Sequence, residues 1–216
     1  MDINSPIKSV ILGAAITLFS HSALTMPDFS GIDVCDVTLA GNCADAVGSA
    51  ATNDDVGEIG TLFPPADWTQ LLKTDAGSAG SWMGIDFSLT GANVDDPAAG
   101  GDFTLFWTAN PASILPKYVD LVFALKASPG FAGYLFENEL LDDQSGTGAG
   151  TGESSGTWEI TFTNPGGNFP DLSHLSLYIR EGEDPSPDPD PMPVPGTLLL
   201  IGLGLMGLRL KRRKTV

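Results

Sequence analysis

Apolar and polar residues alternate with a period of two through the middle and C-terminal parts of the chain. Ile85, Phe87 and Leu89 alternate with Asp86, Ser88 and Thr90. Over residues 102–108, Phe103, Leu105 and Trp107 share one face, and over residues 118–126 Val119, Leu121, Phe123 and Leu125 do the same. Trp158, Ile160 and Phe162 alternate with Glu159, Thr161 and Thr163; Leu175, Leu177 and Ile179 alternate with His174, Ser176, Tyr178 and Arg180. Successive side chains of a strand point to opposite faces, so each segment predicts a half-buried strand with one core face and one wet face. Residues 131–136 add a sixth strand and residues 34–39 a seventh. Residues 66–73 fit one helical turn through Trp68, Leu71 and Leu72, or a strand through Trp68, Gln70 and Leu72. With no long helical pattern in the chain, they are read as a strand. Seven or eight short strands broken by Gly, Pro, Asn and Asp clusters predict an all-β fold, an antiparallel β-sandwich or jelly roll. A parallel sheet would need crossover helices, and the linking segments contain none.

The two ends follow other patterns. Residues 1–25 place Lys8 before an apolar stretch at 10–19 and small or polar residues at 20–23. That is the layout of a secretory signal peptide. A β-sandwich domain is then expected over residues 26–182. Residues 183–195 alternate proline with acids; ring stiffness and charge repulsion extend such a chain, so it reads as a linker. Residues 196–210 are apolar up to Arg209, and Lys211, Arg212, Arg213 and Lys214 follow. At ~1.5 Å per residue, residues 197–210 span roughly 21 Å as a helix, short of a hydrocarbon core of about 30 Å. The long basic side chains reach to the interface and recover part of the deficit. A transmembrane helix over 196–210 with a basic cytoplasmic tail at 211–216 is therefore expected, and the domain is placed outside the cytoplasm. Within the domain, residues 144–157 (QSGTGAGTGESSGT) are so rich in Gly, Ser and Thr that composition predicts a surface loop or hairpin tip.

The C-terminal segment has three parts in order: Pro193-Val194-Pro195-Gly196, a short helix with Gly202, Gly204 and Gly207, and the cations Arg209, Lys211, Arg212, Arg213 and Lys214. This resembles the PEP-CTERM sorting tail of Gram-negative bacteria, with valine where the family's triplet has glutamate. The resemblance implies that the protein is a substrate of exosortase, a membrane-embedded cysteine transpeptidase or protease. The secretion machinery and the inner membrane are its other implied partners. It further implies a role at the cell surface or in an extracellular, exopolysaccharide- or biofilm-associated matrix. The runs Phe123-Ala124-Leu125-Lys126, Tyr134-Leu135-Phe136, Ser155-Gly156-Thr157-Trp158 and Leu172-Ser173-His174-Leu175-Ser176 resemble the β-rich domain that often precedes such a tail. No catalytic residue follows from that likeness.

Charge narrows the partners further. Residues 26–195 hold four basic and 26 acidic residues, a net charge of −22. Such a surface repels nucleic acid and anionic lipid. Cys35 and Cys43 are the only cysteines; in an exported chain an even pair favours a disulfide over free thiols or half of a metal site. His174 is the only histidine beyond the N-terminal segment, so a zinc site is poorly supplied. It lies on a strand's polar face beside Ser173 and Ser176, without a G-x-S-x-G nucleophile turn, and reads as structural or solvated. Trp107 and Trp158 fall on core faces. The acidic pairs Asp54-Asp55, Asp95-Asp96 and Asp142-Asp143 sit in turn-like contexts, and none matches the EF-hand spacing. Calcium is the one cofactor left open, with Asp95, Asp96 and Asp102 around Gly100-Gly101 as its ligands. The sequence thus points to a non-enzymatic exported protein. The alternative is a calcium-dependent carbohydrate-binding module using exposed Tyr178 and Trp82.

Overall fold

The computed structural model describes residues 26–33, 35–74, 78–91, 100–128 and 130–185. Their strands are β1 (Val37–Leu39), β2 (Asn42–Cys43), β3 (Asp45–Ser49), β4 (Thr69–Lys73), β5 (Ala79–Trp82), β6 (Ile85–Thr90), β7 (Gly100–Ala109), β8 (Lys117–Ala127), β9 (Gly130–Leu141), β10 (Thr151–Glu159) and β11 (Leu172–Glu181). One helix, α1 (Val56–Leu62), lies between β3 and β4. The strands form two sheets, ordered β2-β1-β10-β7-β6-β5 and β3-β9-β8-β11-β4. Every pairing is antiparallel. The all-β expectation holds.

One core fills the space between the sheets. Val37, Leu39, Ile85, Phe87, Leu89, Phe103, Leu105 and Trp107 from the first sheet meet Leu121, Phe123, Leu125, Tyr134, Phe136, Leu175, Leu177 and Ile179 from the second. Apart from Val37, Leu39, Tyr134 and Phe136, whose segments are expected only as strands, these are the residues that the alternation assigned inward. Phe103 and Phe123 cross the midplane with ring centroids 5.0 Å apart. Cys35 and Cys43 are joined in a disulfide, which closes the β1–β2 hairpin.

Three sequence expectations are corrected. First, residues 144–157 do not form one loop: from Thr151 they are β10, third strand of six, between β1 and β7. Its inward residues at 152 and 156 are glycines because the aromatics of β7 lie across them. A Cβ on Gly152 would strike the Trp107 ring, and one on Gly156 would strike Phe103. Second, the outward faces of β8 and β11 are not wet. A second apolar cluster of Ile59, Phe63, Trp68, Val122, Ala124, Phe131 and Tyr178 seats α1 and the segment after it on the outside of the second sheet. Third, α1 itself is too short to leave a helical period in the sequence. Asp55 caps it, its Oδ1 accepting from Glu58 N at 3.0 Å, and Glu58 accepts from Ser49 Oγ of β3 at 2.8 Å. Such a cap satisfies one of the N–H groups that a helix start leaves unbonded.

Among the described residues no helix is long and apolar enough to cross a membrane. The expected signal peptide at 1–25, the linker beyond residue 185, the transmembrane segment at 196–210 and the basic tail at 211–216 lie outside the described residues.

Candidate functional site

The polar residues of β11 form a covered row. His174, Ser176, Tyr178 and Arg180 alternate with the core residues, as the sequence shows, but all four are buried beneath the segment that carries α1. His174 Nε2 lies 3.0 and 3.1 Å from the two carboxylate oxygens of Asp54. Burial acts to raise the Asp54 carboxyl. The hydrogen bond and charge of His174 outweigh it, and the net shift is downward. Ser176 Oγ favours the same ionised state without reaching regular hydrogen-bond geometry. An ionised Asp54 only accepts, so the nitrogen facing it carries a proton. Gln70 Nε2 donates to the Tyr178 hydroxyl at 3.3 Å. Burial, with the charges of Asp54 and Asp55, pushes that hydroxyl's pKa up.

Arg180 fastens the far end of the row. Its Nε donates to Asp120 Oδ2 at 2.8 Å, and its Nη1 donates to Pro65 O at 3.1 Å and Phe63 O at 3.4 Å. The guanidinium also stacks 4.2 Å from the Trp68 ring centroid, and Trp68 Nε1 donates to Phe63 O at 2.7 Å. The planar fork of arginine suits this combination of carboxylate, carbonyls and aromatic face. An Asp–His pair becomes a general base only where the ring reaches a reacting proton. Here His174 and Asp54 are 8% and 2% exposed. Tyr178 and Arg180 likewise bond to structure, and through His174 and Arg180 the row clips the helical layer to the sheet.

The outer face of the first sheet is different. Its outward residues are largely hydroxylated: Thr38 pairs with Thr157 (Oγ1–Oγ1, 2.9 Å) and Thr104 with Ser155 (3.2 Å). One aromatic interrupts them. Phe106 sits on the polar side of β7, half-buried, with Ser88 of β6 and Glu153 of β10 directly opposite. Beside it, Phe106, Trp107, Thr108, Gln144, Ser145, Thr151, Gly152 and Glu153 line a cleft of about 360 Å³. The 142–150 loop that walls it is braced. Asp143 Oδ1 accepts from Ser145 N, Ser145 Oγ and Thr151 N, and Gln144 Oε1 accepts from Glu153 N at 3.0 Å. Trp107 Nε1 donates to Asp142 O at 3.0 Å from beneath. A larger depression of about 730 Å³ lies at residues 164–173. There the Asn164 carboxamide oxygen is already occupied by Gly166 N and Asn168 N.

The sequence-predicted positions divide as follows. Asp102 is exposed near the start of β7 opposite Thr157, while Asp95 and Asp96 lie outside the described residues. Among the described residues no three His, Cys, Asp or Glu side chains are grouped to hold a metal ion. Asp54 and Asp55 are a buried ion-pair partner and a helix cap, and Asp143 braces a loop. Tyr178, expected as an exposed platform, is fully buried, because the helical layer covers the face on which it stands. Trp82 is partly buried, with Lys117 Nζ 5.4 Å from its ring centroid. Phe106 was not singled out by the sequence reading, although its place opposite Phe103, Leu105 and Trp107 marks it as an apolar residue on a polar face.

Pro193, Val194, Pro195, Gly196, Arg209, Lys211, Arg212, Arg213 and Lys214 lie outside the described residues. Near the end of the described residues, Gly182 N donates to Tyr118 O at 3.0 Å and Glu183 N to Asn138 Oδ1 at 2.6 Å. No curated protein and no solved structure matches the chain. A family model does: the PEP-CTERM protein-sorting motif covers residues 193–214. The chain therefore carries a PEP-CTERM protein-sorting motif, which implies an exported protein sorted through exosortase with a membrane-anchored C-terminal signal.

Proposed function

We propose that this protein is a non-enzymatic component of the cell surface or extracellular matrix, in which the β-sandwich is the delivered cargo and the tail its address. The observation that carries this reading is the sorting motif at 193–214 following closely on a closed domain. Export, retention by the tail and action of exosortase near residues 193–195 are the steps. The buried state of the His174–Asp54 pair supports a domain without catalytic chemistry. An exopolysaccharide-associated layer suits a highly acidic, hydroxyl-faced sandwich.

The geometry also sets a distance. Nine residues separate Glu183, whose backbone N–H is bonded to Asn138, from Pro193. At 3.3–3.6 Å per residue the ten steps from residue 183 to residue 193 reach at most about 36 Å. The processing enzyme must therefore work within that distance of the sandwich. Replacing Pro193 and Pro195 together by alanine leaves the domain folded and blocks tail processing, as read by intact mass. Loss of the tail at the normal rate in that double variant would remove the motif from the account.

A further inference from the structure

We propose that the cleft on the open face of the first sheet, floored by Phe106, is a binding site for a neutral polysaccharide. Three observations converge on it. Phe106 is an aromatic ring held half-buried at the centre of an otherwise polar sheet face of hydroxyls and carboxylates, with Ser88 and Glu153 opposite it on the two neighbouring strands. Core packing does not explain that placement, since Phe103, Leu105 and Trp107 of the same strand fill the interior. The ring offers an apolar platform, while Thr108, Thr151, Gln144 and Glu153 around it offer hydroxyl, amide and carboxylate groups. That is the complement of a pyranose ring, which presents an apolar C–H face ringed by hydroxyls; few convergent polar groups around an apolar floor are what fixes a ligand's orientation.

The wall of the cleft is preorganised. Gln144 and Asp143 bond to the backbone of β10, so binding orders little that is not already fixed. The face continues beyond the cleft as rows of Thr104 with Ser155 and Thr38 with Thr157, a track along which further sugar hydroxyls meet side-chain hydroxyls. Charge selects the polymer. Glu153 sits in the cleft and residues 26–195 carry a net −22, so uronate-rich or sulfated chains are repelled and a neutral one is not. Glu153 then accepts from sugar hydroxyls, as the stronger charge-assisted kind of hydrogen bond. The reading above enters only in where the polymer is met: binding by purified protein and tail removal in the host fail independently.

The test is affinity electrophoresis of the full-length protein in mild detergent. The native gels contain dextran, amylose, hydroxyethyl cellulose or galactomannan as neutral polymers, and alginate as the anionic one. At least one neutral polymer is expected to retard the protein while alginate does not. Phe106→Ala weakens that retardation about tenfold or more, and Glu153→Gln weakens it several-fold. Phe169→Ala, which removes an exposed ring on the distant 164–171 loop, leaves it unchanged. Glu153→Gln keeps the test alive if Phe106→Ala misfolds. Mobility unaffected by every neutral polymer would overturn the proposal. So would retention that survives both cleft variants, preferential retardation by alginate, or a dimer in light scattering that the cleft variants dissociate.

Discussion

The two sheets carry the same alternating pattern and meet different surroundings. In the first, the inward residues of β6 and β7 are large and apolar, the outward ones are hydroxyls and carboxylates apart from Phe106, and the outer face is open. In the second, β8 and β11 are buried on both faces, because α1 and residues 63–68 cover the outside. The polar residues of β11 that look solvent-ready in the sequence are therefore partnered under a lid: His174 with Asp54, Tyr178 with Gln70, Arg180 with Asp120 and two carbonyls. Polar alternation alone does not distinguish a wet face from one covered by a polar-lined layer. One covered face makes for stability, and the open face is the one free to meet a ligand.

That contrast sets the order of expected effects. Arg180→Ala strands the buried Asp120 carboxylate and frees the 63–68 segment, and it should lower unfolding free energy by about 3–5 kcal/mol in urea titrations. Ile59→Ala empties a fully buried site between α1 and the second sheet, at about 2–5 kcal/mol by the same measurement. In the first sheet, Gly156→Ala drives a Cβ against Thr38 O of β1 and the Phe103 ring of β7 and should cost about 1–3 kcal/mol, with a perturbed near-ultraviolet spectrum. On the open face, Thr104→Ala removes one hydroxyl pair and should stay within about 0.5 kcal/mol of the parent. A comparable loss at Thr104 and Ile59 would erase the distinction between the faces.

The covered row also titrates. The Asp54 carboxyl is held below its ordinary 3.8, so its contribution is complete above that value and is lost as pH falls through the lower folded pKa. Glu139 works in the opposite sense: burial raises it above 4.5, so its ionisation disfavours the fold and acidification relieves that cost. Stability should therefore fall as pH drops below about 4 and through the lowered folded pKa of Asp54, and His174→Gln should flatten that fall because Asp54 loses its partner. An unchanged acid limb in His174→Gln would show that the pair does not hold the layer.

Much of the fold is legible in the chain, for a simple reason. Period-two alternation at 85–90, 102–108, 118–126 and 174–180 depends only on which side a residue faces, and two large sheets need no other code. What stays hidden depends on tertiary contact. Glycine at 152 and 156 suggests a loop until the rings of Trp107 and Phe103 are placed against them. Helix α1 spans only seven residues, too few for a helical period, although Asp55 followed by Glu58 is an N-terminal signal of the capping-box kind. Tyr178 was expected outside and is inside, since nothing local to β11 records that residues from a distant segment cover it. Phe106 was open to view in the alternation, as an apolar letter on a polar face. The sorting tail is legible because its signal is local: a Pro-x-Pro triplet, an apolar run and a cation cluster in sequence.

The most direct test is the intact mass of the protein recovered from the surface and medium of its native host. The account predicts a species lacking about the first 22–25 residues and everything beyond approximately residue 195, where the matched motif begins its apolar run. Full-length tail retained in the inner membrane would contradict it. The protein would then be a simple anchored one, and Val194, standing where the motif's triplet has glutamate, would be the first residue to restore.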